Sequence, residues 1–268
     1  MKLKNLGISL VSTVFLLGCA NPLGSSAAVS SNYHPGIPGA TSASMYYATV
    51  LSDNPTYYWR VGEASGSLAN DSVGSNPGTL LGTFTWGISG APIGDSNTAL
   101  SLTTNGFFYS STFVAGPTIF SLEVWFKTAT LTGGKLIGFG NSQIPASSNY
   151  DRHIYMTNSG QIIFGCYPGS VQVVTSPASY NDGKWHHAVG TLSLAGMVLY
   201  MDGVSVGTNP ATTAQAYSGY WRIGYDNLNS WTNVPASYYF NGSLDEIAVY
   251  MTQALTASKV LNHYTAAQ

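Results

Sequence analysis

Trp231 stands in the run DNLNSWTNVPASYY, with Asn227, Asn229 and Asn233 around it. An aromatic ring among amides has a definite chemistry. The flat apolar face stacks on the C–H face of a sugar ring, and the amides hydrogen-bond the hydroxyls. A second run, AYSGYWRIG, carries Tyr217, Tyr220 and Trp221. The candidate ligand-binding residues are therefore Trp231, Asn229, Asn233, Tyr220 and Trp221. The competing reading of Trp231 is that it folds back and plugs the rim of the fold. Trp125 is open to the same pair of readings, as a platform or as a ring covered by a loop.

Catalysis would need another pattern. Glycoside hydrolysis uses two carboxyl groups across the scissile bond, and the chain has three glutamates, Glu63, Glu123 and Glu246. Glu123 is followed by Val-Trp-Phe-Lys, so no partner acid shares its strand. Asp245 and Glu246 are adjacent, which on a regular strand puts them on opposite faces. The same alternation separates His186 from His187, so they make no chelating pair; His153 and His263 are isolated. Cys166, in QIIFGCYPG, reads as a buried thiol, since no base is presented to it. No catalytic residue is assigned, and a pair of acids from distant strands stays open as the alternative.

Calcium is the better metal candidate, because it accepts carboxylate, amide and backbone oxygens in an adaptable shell. Asp71 lies in the oxygen-rich turn NDSVGSNPG, and Asp245 in NGSLDEIAVY. By alternation Asp245 shares a face with Ile247 and Val249 and points inward, where a carboxylate needs a cation or several donors. Asn70 and Asp95 are weaker candidates. Equally open is that Asp71 caps a turn and Asp245 pairs with Arg60 or Arg222.

The elements that position these residues are short alternating runs broken by Gly, Asn, Asp and Pro, the pattern of an antiparallel sandwich. In FSLEVWFK, Phe120, Leu122, Val124 and Phe126 share a core face, while Ser121, Glu123, Trp125 and Lys127 share a wet one. In GMVLYMDGVSVG, Asp202-Gly203 predicts a two-residue hairpin turn pairing Met201 with Val204 and Leu199 with Val206. Met197, Leu199, Met201, Val204 and Val206 then face one way. Helix is expected in two places only. Tyr46 to Leu51 supports a turn or two before Asp53-Asn54-Pro55. Thr256 caps a final helix whose buried stripe is Val260, Leu261 and Tyr264.

The start, MKLKNLGISLVSTVFLLGCA, has Lys2 and Lys4 before an apolar run too short to span a bilayer. It predicts a secretory leader. Leu16-Leu17-Gly18-Cys19 resembles the bacterial lipobox, which implies a leader over 1–19 and a lipid on Cys19. Residues 20–44, rich in Ser, Ala, Gly and Pro, read as a flexible tether, and 45–268 as the domain. The expectation is an exported, cell-surface protein that touches membrane only through its lipid. Charged residues are 7% of the 268, nine cations against eleven acids. With no basic run or stripe, nucleic acid is excluded as a partner.

Three strings stand in register: YYWRVGEASGSLANDSVGSNPG from Tyr57, DGKWHHAVGTLSLAGMVLYMDGVSVG from Asp182, and FNGSLDEIAVYMTQALTASKVLNHY from Phe240. They resemble the LamG-like branch of the concanavalin A-like lectin/glucanase superfamily, over nearly everything after about Tyr46. The resemblance implies an all-β, two-sheet antiparallel jelly-roll sandwich with a short C-terminal helix. It also implies a structural calcium, carried over to Asp71 and Asp245, and a structural role for DGKWHH at a strand entry. The Glu-x-Asp-x-x-Glu strand motif of the superfamily's glucanases is absent. The expected function is non-catalytic binding of an extracellular glycan or glycoprotein, of neutral charge. A polysaccharide hydrolase or lyase, and an adhesion or assembly domain binding protein, remain the alternatives.

Overall fold

The computed structural model describes residues 43–268. The expected leader, Cys19 and the tether lie outside the described residues, except that Ala43 and Ser44 already belong to the first helix. That helix, α1 (Ala43–Ser52), is longer than the sequence suggested. It buries Tyr46 and Val50, which lie four apart on one face. It stops before Pro55, since the residue preceding a proline is disfavoured from α geometry; Asn54 takes φ 52° there.

Five strands come first: β1 (Tyr57–Trp59), β2 (Leu68–Ala69), β3 (Gly78–Ser89), β4 (Thr98–Ser110) and β5 (Val114–Ala115). The middle holds β6 (Phe120–Lys127), β7 (Gly134–Gly140), β8 (Tyr150–Met156), β9 (Gln161–Cys166) and β10 (Gln172–Ser179). Then follow β11 (Trp185–Ser193), β12 (Gly196–Met201), β13 (Val204–Asn209), β14 (Ser218–Ile223), β15 (Gly242–Tyr250) and a last helix, α2 (Ala257–Ala266). The antiparallel ladder runs β10-β9-β8-β7-β14-β4-β15-β6-β11-β12-β13. It folds over itself, so that β10 meets β12 and β13, and Phe120 of β6 packs edge-on against Phe164 of β9 across the middle. The result is the all-β sandwich that the alternating runs predict, with its main core between the two halves.

Both outer faces are covered in part, and this corrects the reading of FSLEVWFK. Phe120, Leu122, Val124 and Phe126 do enter the main core. The other face is not wet, because Ser121, Glu123 and Trp125 are also buried and only Lys127 is exposed. Helices α1 and α2 lie over it, contact each other, and bury Tyr46, Val50, Trp125, Tyr250 and Val260 in a second cluster. A third cluster, on β8 and β9, is formed by Tyr155, Ile163, Leu228 and Trp231.

The hairpin forms with Asp202 at φ 50° and Gly203 at φ 80°, a turn in which both central residues need positive φ. Met201 pairs with Val204 as expected, but Leu199 opposes Gly207 rather than Val206, because the register slips between Leu199 and Tyr200. Val204, beside the turn, stays exposed while Met197, Leu199 and Met201 join the core. Thr256 caps α2, its side chain accepting from Lys259 N. The buried face of α2 is Val260 and His263, whereas Leu261 is exposed.

A bulge changes β15. Asp245 opposes Trp125 and Ala248 opposes Glu123, three steps along one strand against two along the other. The extra residue is accommodated at Glu246, with φ 49°. Asp245 is thereby moved off the face of Ile247 and Val249, which stay in the core, and onto the face of Trp125. The two acids, expected on opposite faces, turn to the same side.

Candidate functional site

One loop, from Gly224 to Asn241, joins β14 to β15 and carries Trp231. Its base is closed by Phe240 N donating to Gly224 O at 2.8 Å. Trp231 folds inward and is only 6% exposed. Its ring lies against His153, with centroids 3.9 Å apart and an interplanar angle of 69°. The space it fills exists because residue 165 is glycine, where a Cβ would come within 2.5 Å of Trp231 Cζ3. His153 is buried, and burial, with the charge of Lys135, holds its imidazole well below the usual range. Trp231 thus rests on a neutral ring.

The remaining edge of Trp231 helps to line a recess of about 310 Å³, together with Tyr150, Tyr167, Gln215, Asn149 and Asn229. Ser148, Ser230 and Val171 complete the lining. Among the described residues, no carboxylate, imidazole or cation lines it. The charges lie behind the rim and fix it. Asp151 Oδ2 accepts from Gln215 N at 2.9 Å, and Arg152 Nη2 donates to Gln215 O at 2.7 Å. Tyr150 donates to Asn229 O at 3.0 Å. Asp226 Oδ1 accepts from Ser147 N at 2.8 Å, and Arg222 Nη1 donates to the carbonyls of Ser142 and Gln143, both at 2.6 Å. Lys135, fully buried near Asp226, has its amine pushed down to about 8 by burial, against the pull of that aspartate.

Of the residues expected to bind ligand, Trp231 and Asn229 meet in this recess. Asn233 lines a separate hollow with Thr157, Asn158 and Ser159. Tyr220 packs on Phe113, with centroids 5.2 Å apart. Trp221 is a correction: it is fully buried in the main core, since strand alternation turns it inward, and it offers no face to a ligand. Tyr150, Tyr167 and Gln215 escaped the sequence reading. The Ser/Asn-rich run ending in Tyr150 carries the same amide-and-aromatic signal as the Trp231 loop.

The acids gather in two buried groups. Glu123 accepts from Tyr46 Oη at 3.0 Å, Tyr250 Oη at 3.1 Å, His187 Nε2 at 2.8 Å and His263 Nδ1 at 3.0 Å. His263 Nε2 reaches Asp53 Oδ2 at 3.0 Å, so His263 is not isolated. Burial alone would raise the Glu123 carboxyl, but His263 and His187 outweigh it and hold it far below the usual carboxylate range. In the second group Arg60 bridges Glu246 and Asp95, each at 2.6 Å, and Tyr58 donates to Glu246. Asp245 Oδ2 accepts from Ala91 N at 2.7 Å while Oδ1 has no hydrogen-bond partner among the described residues. Burial and the neighbouring Glu246 hold the Asp245 carboxyl well above its usual range. Neither arginine pairs with Asp245 directly.

The donor sets do not fit a calcium shared by Asp71 and Asp245. Asp71 accepts from three backbone N–H groups, of Tyr58, Val73 and Asn76, an environment suited to an anion and the turn-capping alternative. Asp245 has one free oxygen and Arg60 already supplies the local positive charge. Among the described residues no group of three or more His, Cys, Asp or Glu converges to hold a metal. Cys166 is free and buried, its thiol pushed up by burial.

Residues 98–261 match a laminin G-type family model described as the concanavalin A-like lectin/glucanases superfamily. No curated protein sequence matches the chain. Among solved structures it is similar to domain 4 of AbnA, a GH43 extracellular arabinanase from Geobacillus stearothermophilus, in complex with arabinotriose. That likeness has 21% identity and a TM-score of 0.53, covering 80% of this chain and 98% of that one. Trypanosoma rangeli sialidase, in complex with the inhibitor DANA, matches at 14% identity and a TM-score of 0.53, over 78% of this chain and 32% of that one. The binding domain of botulinum neurotoxin serotype G matches at 11% and 0.55, over 79% of this chain and 51% of that one. At these identities the likeness is one of fold.

Proposed function

The chain belongs to the concanavalin A-like lectin/glucanase superfamily, and from that premise we propose that it is a non-catalytic glycan-binding module whose site is the Trp231 recess. The observation that carries this reading is the lining. Tyr150, Tyr167 and the edge of Trp231 supply apolar ring surface, and Asn149, Asn229 and Gln215 supply amides. That is the chemistry of a neutral sugar, apolar on its faces and hydroxylated at its edge. The rim is hydrogen-bonded from behind, so little ordering entropy is lost on binding.

Hydrolysis would need two carboxyl groups flanking the sugar, and the recess has none. Glu123 lies under α1 and α2, and Glu246 is clamped by Arg60. The finer parts of the reading rest on the leader sequence. The module is exported and held at the cell surface by a lipid on Cys19, as the apolar run and Leu-Leu-Gly-Cys suggest.

The test is equilibrium titration of the protein with neutral glycans, starting from arabino-oligosaccharides because a structural neighbour was solved with arabinotriose. Saturable binding of one neutral glycan class is expected. Binding only to acidic glycans, or release of reducing ends on incubation, would contradict the reading.

A further inference from the structure

The Gly224–Asn241 loop serves more than one recess. Beside Trp231 it lines the hollow of about 310 Å³. Through Asn233 and Val234 it lines a second, of about 280 Å³. Through Val234, Pro235, Tyr238 and Tyr239, with Tyr225, it lines a third, of about 480 Å³. They are carried in order along the loop. Trp231 and Asn233 are two residues apart, so their Cα atoms lie within about 7 Å, and Val234 is shared by the second and third hollows.

All three are uncharged. Rings, amides and hydroxyls line the first, hydroxyls and amides the second, and tyrosine rings with a serine hydroxyl the third. Tyr225 and Tyr239 are stacked with centroids 3.8 Å apart and 8° between planes, which fixes both rings at the wall of the third hollow. The loop is also pinned along its length. Tyr155 donates to Thr232 O at 2.5 Å, Ala236 N donates to Asn158 Oδ1 at 2.8 Å, and Ser237 N donates to Thr132 O at 3.0 Å. Its exposed rim is Asn229, Ser230, Asn233, Val234 and Ala236. A module that captures a terminal sugar needs one pit. A fixed series of uncharged hollows spaced along one loop suits a ligand that extends over several sugar rings.

We infer that this loop is a rail of consecutive subsites and that its occupant is an internal stretch of a linear neutral polysaccharide. This rests on the reading of the Trp231 recess as a glycan site. Affinity then grows with chain length until the rail is filled, because each further ring adds contact without a second loss of overall freedom.

The experiment is a calorimetric titration of the full chain with arabino-, xylo-, manno- and cello-oligosaccharide ladders, from di- to hexasaccharide. For the class that binds, the hexasaccharide is expected to bind at least about tenfold tighter than the disaccharide. Val234→Arg puts a long charged side chain between the second and third hollows. Val234 is 40% exposed, so the fold tolerates the change, and the variant is expected to remove most of that tenfold ratio. Tyr239→Ala is expected to act likewise, with a melting temperature to check the fold. A flat ladder, or a ratio that Val234→Arg leaves intact, would overturn the rail while leaving the Trp231 site standing. Failure of every ladder to bind would overturn both.

Discussion

Trp231 is the residue the sequence points to most strongly, and it is a poor residue to mutate first. With 6% of its surface exposed and its ring packed on His153, Trp231→Ala is expected to cost about 3–5 kcal/mol of stability. Loss of binding in that variant would report unfolding as readily as a lost contact. Asn229 is exposed at the rim, so Asn229→Ala is expected to shift the melting temperature by less than about 2 °C. A thermal melt of the two variants checks this, and equal losses would contradict the packing described. Asp245 gives a second expectation. Its carboxyl is held above the unfolded value of 3.8, so ionisation works against the fold as pH rises past that value. Asp245→Asn should therefore be more stable than the native chain at pH 7, with the gain vanishing near pH 4. If added calcium stabilises the native chain and the Asn variant is weaker at pH 7, Asp245 is a calcium ligand and the donor-set argument fails. At this scale Trp231 stood out in the sequence because a ring among amides is a local signal. Its burial was not, because Gly165, which makes room for it, lies in a distant strand.

Glu123 illustrates what whole elements add. Read along β6 it belongs to an outward row; in the fold, α1 and α2 close over that row and bring Tyr46 and His263 to it, beside His187 of the neighbouring β11. The two titrating ends of this network have opposite signs. The carboxyl of Glu123 is depressed from 4.5, so its contribution is present above that value and lost as pH falls. The imidazole of His263 is raised from 6.5, burial being outweighed by Glu123 and Asp53, so its contribution is present below that value and lost as pH rises through the folded one. The attachment of α2 is therefore strongest between about pH 4.5 and 6.5. Melting temperature is expected to decline from about pH 6 to 9, and less so in His263→Gln, which is itself weaker by about 3 kcal/mol because it strips a buried carboxylate of its partner. Identical slopes in the two proteins would rule out His263 as the titrating latch; His186, also raised by its aspartates, is common to both. The bulge at Glu246 belongs to this scale too. Nothing in NGSLDEIAVY marks it, since no glycine stands at the positive-φ residue, and one extra residue reversed the face assigned to Asp245.

For the whole molecule, the sandwich was legible because alternation and turn residues are written locally, strand by strand, and because three strings stand in register with a known branch of the superfamily. The layers outside the sandwich were less so. Helices α1 and α2, and the Gly224–Asn241 loop, owe their places to partners far along the chain, and they decide which aromatic residues are core and which meet solvent. Hence Trp221 was read as a binding residue and is core, while Tyr150 and Tyr167 were passed over and line the recess. The central claim is that this recess, carried by a preformed loop, binds a neutral sugar without cleaving it. The most direct measurement is the dissociation constant of the best-binding neutral oligosaccharide for the native protein and for Asn229→Ala, at matched thermal stability. Loss of one hydrogen bond predicts weakening by about three- to tenfold. Equal affinity in the two proteins would place the sugar elsewhere and contradict the account.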